Sequence, residues 1–163
     1  MNSNFTQALF NSNGGYAALI LRVPVGLILA AHGAQKLFGW FDGYGLEGTG
    51  QWLASIGMEP GYLMALLAGS AEFFGGLALV LGLLTRPAAV VSAVTMLVAI
   101  FSVHISNGLF MSNNGYEYAL TLFAATLALA IQGAGRFALD NVLLALFGGA
   151  GYGQGAVTHK SVA

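Results

Sequence analysis

The chain has 163 residues, 57% of them hydrophobic and only 7% charged, with a formal net charge of -1. Its mean hydropathy of +0.77 exceeds what one soluble core of this size can hide, so the composition predicts an integral membrane protein. Five Lys and Arg against six Asp and Glu, and no cysteine, exclude a basic nucleic-acid surface, a polybasic lipid-binding tract, and disulfide or thiolate chemistry by this chain alone.

Residues 1–15 read as a flexible, uncharged entry, in which Asn11, Ser12, Asn13, Gly14 and Gly15 precede the first apolar run. Apolar runs follow at 16–38, 62–84, 87–109 and 117–133. Each is about 20 residues long, enough for a helix to cross a hydrocarbon core of about 30 Å. The first run lacks a basic n-region and carries Arg22, Pro24 and Lys36, so it does not read as a cleavable signal. The longest connection, 39–61, is rich in glycine and carries Asp42, Glu47 and Glu59 but no Lys or Arg. A tight turn at Leu84-Thr85-Arg86-Pro87 leads to the third run, where Pro87 can begin a helix because its missing N–H is not needed there. Segment 110–116 is rich in Asn and Gly.

Beyond the fourth run, Leu139, Val142, Leu143 and Leu146 recur at helical spacing, predicting a helix too short to span that lies in the interface. The Gly-rich stretch 148–163 reads as a mobile tail. The expected fold is therefore all-α and integral to the membrane. Residues 16–147 should form an up-down-up-down bundle of four transmembrane helices with a short C-terminal interfacial helix. Arg86 and Arg136 mark the retained side, with Arg22 just inside it and Lys160 in the tail, which places both termini in the cytoplasm. Lys36, at the opposite boundary, is the one residue against that orientation.

Six ionisable side chains sit within or at the edges of the spans: Arg22, His32, Lys36, Glu72, His104 and Glu117. A charge in hydrocarbon persists when it is paired, hydrated or functional. Arg22, His32 and Lys36 fall within an arc of about 80° on the first helix. Glu72 shares a helix face with Ala68, Gly69 and Gly76, small residues that allow close helix approach in lipid. Helical rise puts Arg22 at about 9 Å, Glu72 at about 18 Å and His32 at about 24 Å from the cytoplasmic end, so Glu72 is expected to contact Arg22, His32 or both. Glu117, Thr121, Ala124, Ala128 and Gln132 form a polar or small-residue stripe on the fourth helix, and His104 lies at about the depth of His32. These residues predict a lipophilic pocket in the outer half of the bundle, with Glu72 and His32 able to carry protons.

Structural readings stand beside the functional ones. Glu72 and Arg22 can be a buried pair that sets helix register. His32 and Lys36 can be interfacial anchors, and Trp40, Trp52, Tyr116 and Tyr118 an aromatic belt. No spacing of His or carboxylates predicts a metal site, and no haem, flavin or iron–sulfur motif is present.

The chain resembles the DoxX family of small bacterial four-helix membrane proteins. The resemblance rests on His32-Gly33-Ala34-Gln35-Lys36-Leu37-Phe38-Gly39, Ala71-Glu72-Phe73-Phe74-Gly75-Gly76 and Leu81-Gly82-Leu83-Leu84-Thr85-Arg86. Asn114-Gly115-Tyr116-Glu117-Tyr118 and Gly133-Ala134-Gly135-Arg136-Phe137-Ala138-Leu139-Asp140 follow in the family's order. The matching pieces run from about residue 18 to 143. The resemblance implies a bacterial inner-membrane location and an association with quinone redox chemistry, as a subunit of thiosulfate:quinone oxidoreductase, or with oxidative-stress responses. It supplies no established catalytic residue set. The expected function is an accessory, quinone- or quinol-linked subunit that is not self-sufficient for catalysis and works among membrane lipid as a homo-oligomer or with a partner redox protein. A small-solute or lipid carrier and a scaffold of a membrane complex are the alternatives.

Overall fold

The computed structural model describes residues 3–148; the tail expected to be mobile lies, beyond Gly148, outside the described residues. All regular structure in the described residues is helical. The helices are α1 (Ser3–Phe10), α2 (Gly15–Phe38), α3 (Gly45–Ser55), α4 (Gly61–Leu81), α5 (Thr85–Ala99), α6 (Glu117–Gln132) and α7 (Leu139–Gly148). A π turn at Ile100–His104 and a 3-10 turn at Ile105–Asn107 prolong α5, and a second 3-10 turn covers Met111–Asn113. Three helical stretches are long and apolar enough to cross a membrane: Gly15–Phe38, Gly61–Leu81 and Thr85–Asn107. Helix α6 has 16 residues, about 24 Å of helix.

Two parts of the chain differ from their sequence reading. Ser3–Phe10, part of the expected flexible entry, form α1. The following residues are tied to the end of α6, where Ser12 Oγ donates to the Gln132 carbonyl at 3.0 Å and accepts from the Gly135 N–H at 2.6 Å. The 39–61 connection, read as a loop, contains α3, which packs on α4 and α2. Its glycines hid it. One of them, Gly50, lies where an added Cβ would come within 2.9 Å of the Tyr62 Cα, so glycine there serves close packing against the start of α4.

Helices α2 and α4 make the most extensive contact in the fold, through glycines spaced seven residues apart on each. An added Cβ on Gly26 would lie 2.6 Å from the Gly76 carbonyl oxygen, and one on Gly76 would lie 2.5 Å from that of Gly26. Gly33 abuts the Phe73 backbone and the Gly69 carbonyl in the same way. In lipid, where apolar surface alone drives little association, such backbone approach supplies the packing contacts. Leu29, Leu79, Met96, Leu122 and Leu129 fill the centre between α2, α4, α5 and α6.

One end of the bundle is built around Arg22, which is 1% exposed. Its Nε donates to the Ala134 carbonyl at 2.9 Å, one terminal nitrogen to those of Leu79 and Val80 at 3.0 and 2.5 Å, and the other to those of Arg136 and Phe137 at 3.2 and 2.7 Å. All five guanidinium N–H groups are thereby used, joining the carbonyl end of α4 to the segment between α6 and α7. Asp140, also 1% exposed, closes the same end. Its carboxylate accepts from the Leu84 and Thr85 N–H groups at 2.6 and 2.9 Å, capping the start of α5 from a distant part of the chain. Asp140→Ala should therefore lower stability by about 1–2 kcal/mol, with Asp140→Asn intermediate because one acceptor remains. Thermal unfolding in detergent micelles checks this; equal melting of Asp140→Ala and wild type would contradict it.

Candidate functional site

At the end opposite Arg22, the C-terminal half of α2, helix α3, the first half of α4, the π turn and the start of α6 enclose a cavity of about 470 Å³. Its size lies within the range of small-molecule sites, about 300–1,000 Å³. Most of its wall is apolar, with Leu29, Leu53, Met64, Met96 and Leu122 among its residues. Within that wall, Lys36 Nζ donates to Glu72 Oε2 at 2.5 Å, the one ion pair found among the described residues. The Glu72 side chain is 5% exposed and that of Lys36 28%. The His32 ring lies against Tyr118, their centroids 5.9 Å apart, and both line the cavity.

Glu72 reaches this position because the glycines on either side of it, Gly69 and Gly76, bring α4 against α2. Lys36 follows His32 by one helical turn, so both project to the same side of α2. Trp52 of α3 also lines the cavity. The ammonium and carboxylate cancel in net charge while leaving a donor and acceptors in an apolar wall. A neutral, mostly apolar molecule with polar oxygen atoms matches that chemistry.

Of the six side chains singled out in the sequence, His32, Lys36, Glu72 and His104 line this one cavity. His104 Nδ1 lies 2.8 Å from the Asn114 carbonyl oxygen. A carbonyl only accepts, so Nδ1 carries a proton and donates it to that oxygen. Glu117 stands apart: its Oε1 accepts from the Met111 N–H at 2.6 Å, ordering the 110–116 segment. Arg22 is at the other end, with every donor occupied by backbone. The expected contact of Glu72 with Arg22, His32 or both is therefore replaced by the pair with Lys36, and His32 shares the cavity without a hydrogen bond to Glu72. Helical rise sets Glu72 between Arg22 and His32, whereas the α2–α4 crossing puts the Phe73 backbone against Gly33 and so brings Glu72 to Lys36.

Sequence reasoning missed the α3 side of the cavity. Thr49, Trp52 and Leu53 recur at three- and four-residue spacing within α3 and all line the cavity, a periodicity that glycines at 45, 48 and 50 masked. Beside the cavity lies a second space of about 440 Å³, lined by Gln35, Asp42, Gly43, Tyr44 and Gly48. Lys36, Tyr44, Thr49 and Trp52 border both spaces. Phe41 and Asp42, at φ 54° and 60°, turn the chain between α2 and α3, and the Phe41 carbonyl accepts from Gln35 Nε2 at 3.1 Å. Among the described residues, no three His, Asp or Glu side chains converge as a metal site.

The DoxX family model matches residues 17–105. The chain is 35% identical over 130 residues to a Bacillus subtilis protein named "Putative oxidoreductase CatD", covering 80% of this chain and 89% of that one. It is 34% identical over 128 residues to "Inner membrane protein YqjF" of Escherichia coli, covering 73% and 92%. It is also 36% identical to an uncharacterized Haemophilus influenzae protein, covering 77% and 90%. No solved structure matches the chain.

Proposed function

The chain belongs to the DoxX family of membrane proteins, and from that premise we propose that it binds a quinone- or quinol-like lipophile in the cavity as an accessory subunit of inner-membrane redox chemistry. The Lys36–Glu72 pair, its carboxylate buried in a mostly apolar wall, carries this reading. Ionisable groups inside a span mark functional sites by default, and a quinone head is an apolar ring with oxygen atoms that need a donor or an acceptor. Lys36 Nζ would hold an oxygen of the head, Glu72 and His32 would take up or return protons, and Trp52 with the Met side chains would exclude water. The quinone/quinol couple would supply the redox chemistry, taking electrons from a partner redox protein as quinone or giving them to it as quinol. The oxidoreductase name of the Bacillus relative and the inner-membrane name of the Escherichia relative agree with this role.

Residues 16–147 would form the membrane domain, with α2, α4, α5 with its extension, and α6 crossing up-down-up-down, and α7 lying in the interface. Leu120, Leu127 and Ile131 on α6 are exposed and apolar, as a lipid-facing side requires. Arg22, Arg86 and Arg136 gather at one end, while Trp40, Tyr44, Trp52 and Tyr62 lie toward the other and are exposed. That division supports cytoplasmic termini. A C-terminal reporter active only in the cytoplasm should be active; activity only of a periplasmic reporter would reverse the orientation.

The two tryptophans of the chain make the binding test direct, because Trp52 lines the cavity and Trp40 does not. Titrating the purified protein with a short-chain quinone should quench fluorescence saturably. The response should persist in Trp40→Phe and vanish in Trp52→Phe. No saturable change in the wild type would overturn the proposal.

A further inference from the structure

We infer that the cavity opens sideways into the bilayer through the seam between α4 and α5, and that its ligand is a membrane-resident amphiphile whose hydrocarbon tail leaves by this seam while its polar head stays at Lys36 and Glu72. The inference rests on the lipophile reading above and names the ligand class. Helices α4 and α5 form an antiparallel hairpin joined at Gly82–Leu84. Near the turn they are tightly apposed, since a Cβ on Gly75 would lie 2.8 Å from Ser92 Oγ. Antiparallel register then carries the pairing outward to Glu72 with Thr95 and Ala68 with Ala99, and Met64 and Val103 follow one turn farther out on the two stretches. All six of these residues line the cavity, so the space follows the seam for three successive turns.

The middle rung is alanine against alanine, which leaves the least side-chain volume to close the gap. The outer surface is reached at the same level: Val98, another lining residue, is 44% exposed, Ser102 is exposed, and Met64, Ala68 and Thr95 are half-buried. The π turn at Ile100–His104 brings Ser102, Val103 and His104 into the same wall, a local widening of the kind often found at functional sites. A void against lipid is filled by hydrocarbon, not water. At about 470 Å³ the cavity can enclose a ring and a short substituent, whereas a long chain must continue outside it.

The test compares a tailless benzoquinone with its decyl and longer-chain homologues, read by Trp52 fluorescence in lipid nanodiscs. In the wild type, affinity should hold or rise with tail length; a fall once the tail exceeds what the cavity can enclose would overturn the portal. Ala68→Phe and Ala99→Phe should weaken long-chain binding about tenfold more than they weaken tailless binding. Equal losses for both ligands, or none for the long-chain one, would overturn the portal while leaving the head site intact. Should either Phe variant fail to fold, Ala68→Leu and Ala99→Val probe the same rung, and the wild-type tail-length series stands without any variant. Absence of saturable quenching by every homologue would overturn the lipophile reading and the portal with it.

Discussion

Arg22→Leu is expected to abolish folding, reducing the yield of monodisperse protein from membranes to background. The side chain is buried and makes five hydrogen bonds to backbone carbonyls from α4 and the 134–137 segment. Leucine leaves the Val80, Ala134, Arg136 and Phe137 carbonyls without that donor, while the Leu79 carbonyl keeps the Gly82 N–H. Each such orphan costs about 1–3 kcal/mol, so the sum is comparable with the whole stability of a folded domain, about 5–15 kcal/mol. Arg22→Lys should rescue only in part. An ammonium has three donors and lacks the planar fork that reaches carbonyls on two separate segments. Gly82 belongs to the same arrangement, because its φ of 64° and the closeness of Arg22 Cζ, 3.0 Å from an added Cβ, leave no space for a side chain. Size-exclusion profiles and thermal unfolding of the two Arg22 variants decide the matter. A stable, monodisperse Arg22→Leu protein would show that the carbonyl node is dispensable.

The Lys36–Glu72 pair should respond asymmetrically to the loss of each partner. Glu72 is the more deeply buried, so Lys36→Met strands a carboxylate in an apolar wall and should destabilise by about 3 kcal/mol or more. Glu72→Gln leaves an ammonium that borders the polar second space beside Gln35 and Asp42 and can turn toward it. That variant should remain folded, losing about 1 kcal/mol, while its affinity for a short-chain quinone falls about tenfold. The double variant Lys36→Met with Glu72→Leu should recover the stability lost in Lys36→Met, since an apolar replacement of a buried pair is often neutral, yet it should not recover binding. Thermal unfolding and Trp52 quenching on the same samples separate the outcomes. Wild-type affinity in the double variant would show that the pair serves packing alone.

Membrane residence and the main apolar helices were legible in the chain itself, because hydrophobicity and length are additive along a sequence and a span needs no distant partner to be recognised. The placement of Glu72 among Gly69 and Gly76 was legible for the same reason, since helical periodicity is local. Helix α3 was not: its glycines lower helix propensity, and they are tolerated because α4 lies close against them. The cap that Asp140 supplies to α5 could not be read either, since it joins positions more than fifty residues apart.

What the sequence determined by itself was therefore that this is a helical membrane protein, where its long apolar helices run, and which faces carry ionisable groups. The tertiary structure decided which groups meet. Lys36, rather than Arg22, neutralises Glu72 because the glycine-spaced crossing of α2 and α4 sets their axial register, and a shift along the helix axis of one turn, about 5.4 Å, separates one partner from another. Arg22 is left to the carbonyls of α4 and the α6–α7 segment, and those carbonyls converge only after two helix ends and a connecting segment have been brought together.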